Sequence, residues 1–492
     1  MGTAMSAPAE DDRIMRPDVM CLRQLSLHNY RMFSDLSITF PDMSDDRADG
    51  DCDGAVEAEG DRGADGRGNW VTVIVGENGS GKTSILDAAV IALGTYLVKI
   101  PDIDKPTFNR TDARLARIKM HNTSTVDYQQ QFPVSVSAHG DVMGNSPSWA
   151  RSLKSANGRT TIGDAPEMVR ISDFYQRQVR EGKMIHLPLI ASYGTDRLWP
   201  RDRSKWATHS TAYLQGGNRF DGYDDCLSSE VSIKKMSVWF EKMTAREYRK
   251  GTVIPEFRAV RRVVTDCLRL LTGFDDASIA YDGGFVVSYT ASDGTYMEDQ
   301  PFETLSDGYR VVIGLVADIA RRMAQLNPFL AEQAVARTPG VVLIDEVDLH
   351  LHPKWQGKIL GVLHELFPLV QFIVTTHAPM VISSVQSKNL RVIEPVDGGD
   401  GKYVAVSPDD ETYGVNAGVI LREVMGTPDK PAAVQDKLDE FGQYLNDKEY
   451  GKAQATLRAL QNEVGEDNPD LSNAWAAYYF HSRGRGSHAV RG

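Results

Sequence analysis

The chain has 492 residues, 41% of them hydrophobic and 25% charged, with a net charge of −13, as expected of a globular protein of two to four domains. It contains no apolar run of bilayer length and opens on a polar, acidic stretch without the apolar core of a secretory leader. Cys21, Cys52, Cys226 and Cys267 are scattered, with no C-x-x-C, which argues against a zinc cluster or disulfide framework and for a reducing, cytoplasmic setting.

Residues 1–20 read as a disordered N-terminus. Residues 21–40 alternate apolar and polar positions and predict two short strands. Residues 42–69 hold ten acidic and three basic side chains among many glycines, too few apolar groups for a core, and predict a disordered loop. An apolar run from Trp70 to Val75, the glycine-rich GENGSGKT and the helical SILDAAVIALGTYL then give strand, loop, helix over residues 21–100.

GENGSGKT, Gly76 to Thr83, fits G-x-x-x-x-G-K-[ST] in the context that motif needs. Gly76, Gly79 and Gly81 let backbone N–H groups of the loop, with Asn78 and Ser80 between them and Ser84 just beyond, turn toward phosphate oxygens. Lys82 reaches the β- and γ-phosphates of ATP and the Thr83 hydroxyl ligates Mg²⁺. The helix that follows presents its positive end to the same anion.

Residues 101–275 read as an inserted, mostly helical domain around a core strand at 186–194. Within it, residues 101–265 carry 26 basic and 18 acidic side chains. Such a segregated excess suits a polyanion despite the acidic whole, although solvated faces explain many of the charges equally well. Arg197, Arg201, Arg203 and Lys205, interleaved with Trp199 and Trp206, are the best candidate nucleic-acid patch, the alternative being that both tryptophans anchor a core.

Residues 276–410 return to α/β. Two turn signals, DGG and SDG, mark a β meander. Val341 to Ile344 predict a buried parallel strand that delivers Asp345 and Glu346 to a ligand crevice. Asp345 is assigned to Mg²⁺, directly or through water, and Glu346 to the general base that polarises the attacking water. A second apolar strand, QFIVTTH, ends at His377. His350 and His352 in DLHLHP read as dimer contacts rather than a metal pair, having no third ligand nearby. Residues 411–480 are helical, with breaks near Asn446 and Asp467, and 481–492 form a basic tail.

The order P-loop, TLSDGYR (Thr304 to Arg310), DE, His resembles an ABC-type P-loop NTPase head, a mixed sheet with flanking helices. The resemblance implies that Ser306 and Gly308 contact the γ-phosphate held by a second copy, that His377 is a switch histidine, and that Val347, Asp348 and Leu349 form a dimer-facing D-loop. It further implies a Q-loop glutamine, for which Gln129, Gln130 and Gln131 are candidates. The gap between P-loop and signature lacks the long heptads of SMC proteins and no membrane domain is present. LHNYRMFSDLSITF, LPLIASYGTDRLW, DEVDLHLHPKWQ and TYGVNAGVILREVMGTPDKP resemble the RecF/OLD-like stand-alone ATPases over residues 21 to about 480. Within that group the similarity is to ATP-binding proteins once labelled as involved in virulence and to the PtuA-like ATPase subunit of Septu and retron anti-phage systems. It implies an ATP-dependent homodimer or higher even oligomer, a separate HNH-type nuclease partner and DNA association. A protein-binding switch, docking through the C-terminal helices, and a RecF-like repair ATPase are the alternatives. The helical end lacks the acidic strand of an OLD-type nuclease domain.

Overall fold

The computed structural model describes residues 19–41, 70–119, 126–198, 218–228, 233–291, 293–396, 400–465 and 468–483. The expected disordered N-terminus, acidic loop and basic tail, and the break near Asp467, lie outside them, apart from the edges of each. In chain order the strands are β1 (Met20–Tyr30), β2 (Phe33–Thr39), β3 (Val71–Val75), β4 (Leu115–Lys119), β5 (Val126–Gln130), β6 (Val134–Val142), β7 (Ser148–Leu153) and β8 (Leu189–Tyr193). There follow β9 (Ser278–Tyr281), β10 (Phe285–Thr290), β11 (Tyr296–Pro301), β12 (Gly340–Ile344), β13 (Val370–Thr375), β14 (Leu390–Pro395) and β15 (Tyr403–Val406). No helix among the described residues is long and apolar enough to cross a membrane.

The central sheet has the order β15-β14-β3-β13-β12-β8, parallel except for the edge strand β15. VTVIV, GVVLI and VQFIVT are buried at every position, which suits strands covered on both faces. Ile344 lies opposite both Val374 and Tyr193, so β8, β12 and β13 end level with one another. Their carboxyl ends and that of β3 open on one edge, where ligands of such sheets bind.

A second, antiparallel sheet runs β2-β1-β6-β7. Its strands alternate buried and less buried residues; Leu25 and Leu27 of β1 face Ala138 and Val136 of β6 on one side. This corrects one part of the reading of 101–275 as a mostly helical insertion: β6 and β7 belong to the sheet of β1, while the helices Pro166–Arg180, Ile233–Lys250 and Pro255–Thr272 supply its helical part. Residues 134–153 complete a sheet begun at residue 20, because their period-two apolar face needs the face of β1 to bury against. The two sheets are pinned by Gln371, whose amide accepts from Leu22 N and donates to Leu22 O, both at 2.8 Å. The meander β9-β10-β11 is as expected.

The helix Asp307–Leu326 is buried over most of its length. It carries Asp318, Arg321 and Arg322 inside the protein, at 0%, 3% and 2% exposure. Buried charges persist when paired and hydrogen-bonded, and these are. Asp318 accepts from Arg321 and from Arg322 Nε (2.7 Å), and Tyr193 Oη donates to it at 3.0 Å. Arg322 also donates to Gly222 O and Asp224 O.

Residues 416–492 form a separate compact unit. Its helices Ala432–Asn446, Tyr450–Val464 and Pro469–Arg483 pack around Phe441, Ala453, Leu457, Leu460 and Leu471. Apolar positions at helical spacing thus give this unit a small core of its own.

Candidate nucleotide-hydrolysis site

The P-loop leaves the end of β3 and the helix Lys82–Leu93 begins at its last turn. Gly81 takes φ +85°, and a Cβ there would lie 2.4 Å from the Phe33 ring. Only glycine meets both demands. The loop is thereby pressed against the turn between β1 and β2. Lys82 is buried and its Nζ donates to Gly76 O and Glu77 O, each at 2.9 Å. Burial lowers its pKa below the ordinary lysine value, opposed by the nearby charges of Asp345 and Glu346. Ser80 Oγ is buried with no hydrogen-bond partner among the described residues.

The acidic pair meets the P-loop where the sheet predicts. Thr83 Oγ1 donates to Asp345 Oδ2 at 2.9 Å across 262 residues of sequence. The other Asp345 oxygen accepts from the Thr375 hydroxyl, which in turn accepts from Glu346 N at 2.8 Å. Thr376 donates to Asp348 and accepts from Ala378 N. Thr375, which ends β13, and Thr376 just after it therefore lock the turn after β12. His377 follows them. Burial lowers its pKa below the ordinary histidine value and Lys82 adds to this, while Glu346, Asp348 and Asp345 pull the other way. Lys82, Thr83, Asp345, Glu346 and His377 are thus brought to one edge.

Two hard oxygen ligands side by side, a buried lysine and an orphan hydroxyl in a glycine loop fit a nucleotide triphosphate with Mg²⁺. Among the described residues no group of three or more His, Cys, Asp or Glu side chains converges. His352 caps the short helix Pro353–Gln356, accepting from Lys354 N.

Ser306 caps the helix Asp307–Leu326, and Gly308 lies in its first turn. A Cβ on Gly308 would stand 2.9 Å from His350 O. The first turn of this helix is therefore pressed onto the segment just after Val347–Leu349 by backbone contact. Gly308→Ala is expected to cost about 1–3 kcal/mol through this overlap, read as a lower urea midpoint in chemical denaturation.

Three glutamines were candidates for a metal-facing loop, and the structure brings none of them to Thr83 or Asp345. Gln129 Nε2 bonds Asp127, Gln130 Nε2 bonds Arg110 O and Gln131 Nε2 bonds Gln129 O. They sit on and just after β5, a hairpin strand outside the parallel sheet. The segment that does leave the parallel sheet beside β12 is 194–198, after β8. Arg197 lies there, 2% exposed, so it is not part of a surface patch. Its charge is committed to the turn at Asp345 and Glu346. Trp199, Arg201, Arg203, Lys205 and Trp206 lie outside the described residues.

Arg31, which pattern reading missed, braces the P-loop helix. It bonds Asp112 Oδ1 (2.9 Å), Asp87 Oδ2 (2.6 Å) and Ser84 Oγ (3.3 Å), tying the β1–β2 turn to the P-loop helix. An arginine in a two-residue turn between apolar strands was the available signal.

Two family models match in succession: "AAA domain" over residues 24–250 and "AAA domain, putative AbiEii toxin, Type IV TA system" over residues 270–383. The chain is similar to the retron Vc95 probable ATPase of Vibrio cholerae serotype O1 biovar El Tor, 24% identical over 476 residues, 87% of this chain and 83% of that one. It is also similar to the Septu protein PtuA of Bacillus mycoides (strain KBAB4), 24% identical over 280 residues, 56% of this chain and 35% of that one. Among solved structures it is similar to the SMC head domain from Thermotoga maritima, with 16% identity, a TM-score of 0.39, and 80% and 100% of the two chains covered. With a P-loop bonded to the acidic turn after β12 and two AAA-domain models matching in succession, the second including TLSDGYR, the chain is an ATPase similar to the probable ATPases of retrons and to Septu protein PtuA.

Proposed function

We propose that the protein binds ATP with Mg²⁺ between two copies of itself and uses hydrolysis to control a separate nuclease, of HNH type, in anti-phage defence. The observation that carries this is the Thr83–Asp345 bond, with Lys82, Glu346 and His377 around it. Backbone N–H groups of Gly76 to Gly81, with Lys82, bind the phosphates, and the start of the helix at Lys82 adds its dipole. Thr83 and Asp345 would hold Mg²⁺, which neutralises charge on the phosphate oxygens when bound. Glu346 orients and polarises the attacking water. His377, whose pKa burial and Lys82 lower in the nucleotide-free protein, hydrogen-bonds the γ-phosphate. Ser306 and Gly308 of a second copy complete the site, so hydrolysis requires an even number of copies. The retron and Septu relatives support the defence role. Double-stranded DNA is the proposed trigger.

Steady-state ATP hydrolysis by the full chain, with and without double-stranded DNA, tests this. Lys82→Ala is expected to lose nucleotide binding and turnover, and DNA to stimulate the parent. Hydrolysis by Lys82→Ala at the parent rate overturns the site. A rate indifferent to DNA favours a switch worked by a protein partner.

A further inference from the structure

The buried guanidinium of Arg197 makes all of its hydrogen bonds among the described residues to backbone carbonyls. Nη1 donates to Gly194 O (3.0 Å) and Asp345 O (2.7 Å), and Nη2 to Glu346 O (2.7 Å). Two of these three carbonyls belong to the turn that carries the acidic pair, 148 and 149 residues away in sequence. That turn is strained: Glu346 has φ +47°, a region that a long side chain occupies only where its surroundings over-determine it. Here they do. The peptide before Glu346 is held through its N–H by Thr375 Oγ1 at 2.8 Å. The peptide after it is held through its carbonyl by Arg197. Asp345 N is fixed in addition by Tyr193 O at 2.8 Å. A planar fork with several donors can bridge successive carbonyls, which an ammonium group does poorly.

We propose that Arg197 is a positioning residue for ATP hydrolysis, clamping the Asp345–Glu346 turn in its left-handed conformation so that the Glu346 carboxylate faces the attacking water. It acts through Glu346 and does not touch the nucleotide. The inference rests on the reading of Glu346 as the general base. Misplacing such a group by about 1 Å costs on the order of 10²-fold in rate, whereas the phosphate-binding loop is built by other residues.

The test uses the full chain as Arg197→Met, Arg197→Lys, Glu346→Gln and the double variant Arg197→Met with Glu346→Gln. Nucleotide affinity, KM, kcat and single-turnover rates are measured for each. Arg197→Met is expected to keep ATP affinity and KM within about threefold and to lose on the order of 10²-fold in kcat. Arg197→Lys, with charge and some donors retained, recovers part of that loss. In the Glu346→Gln background the same Arg197→Met change costs little more, since the group it positions is already gone. A parental kcat in Arg197→Met, or an equal loss in both backgrounds, overturns the proposal. If Arg197→Met gives no cooperative unfolding transition, Arg197→Lys alone is compared across the two backgrounds. Glu346→Gln at the parent rate removes the general-base reading itself. An inactive Glu346→Gln beside a fully active Arg197→Met removes only the role of Arg197.

Discussion

Glu346→Gln is expected to lower kcat by roughly 10²–10⁴-fold, the range for loss of a positioned general base, while leaving ATP affinity unchanged. Glutamine matches glutamate in shape, and the bonds that define the turn go to the backbone of residue 346, not to its side chain. The Thr83–Asp345 contact is untouched. Binding and catalysis are therefore separated by one atom pair. Because bound ATP is no longer consumed, the variant should accumulate as the closed dimer. Light scattering after size-exclusion chromatography, with ATP and Mg²⁺, reads this as a doubled mass that persists. Hydrolysis at the parent rate means that Glu346 is not the base. A dead enzyme that stays monomeric with ATP means that closure is not what ATP drives.

Asp318→Asn is expected to destabilise the ATPase unit by about 3–5 kcal/mol, the range for breaking a buried ion pair from one side. Asp318 sits at 0% exposure between two guanidinium groups that are themselves almost fully buried. Burial alone would raise its pKa, but Arg322 and Arg321 outweigh that and hold it well below the usual carboxylate range. Asparagine leaves two buried cations facing a neutral group. The sign of the pH effect follows from the depressed pKa. The stabilisation is present above the unfolded carboxylate value, about 3.9, and is lost as pH falls through the folded one. Urea midpoints at neutral pH should thus separate parent and variant widely. In acid, below the unfolded value, the gap should narrow. Equal midpoints at pH 7 would show that the cluster contributes no net stability.

The candidate site residues that meet at the sheet edge were legible because each lies in a short segment whose local pattern is strong. GENGSGKT follows an apolar strand, and both Asp345 and His377 stand where an apolar run stops. Sheet geometry does the rest, since parallel strands that end level must bring such residues together. What stayed hidden were roles created by contacts distant in sequence. Arg197 reads as one of several cations near two tryptophans, and nothing local reveals that its fork lands on carbonyls of residues 345 and 346. Gln129 to Gln131 were attractive by type and order alone, and among the described residues β5 pairs only with β4. Residues 134–153 were assigned to an insertion because sequence distance hides the face of β1 that they complete. Thr375 and Thr376 looked like the polar end of a strand, yet their hydroxyls organise the acidic turn.

The strand order has a consequence for how the chain is made. β3 lies between β13 and β14, and pairs with Phe372 and Leu390 onward while itself starting at Val71. During synthesis its five fully buried residues emerge about 300 positions before either neighbour exists. At roughly 5–20 residues per second that interval is about 15–60 s. For that time an apolar strand that will become central has both hydrogen-bonding edges bare, a template for pairing with other chains. Yield of folded protein should therefore depend on translation speed and on holding chaperones more than its final stability suggests. A ribosome-bound chain ending before Val370 should be captured by such chaperones, and one extended beyond Pro395 released.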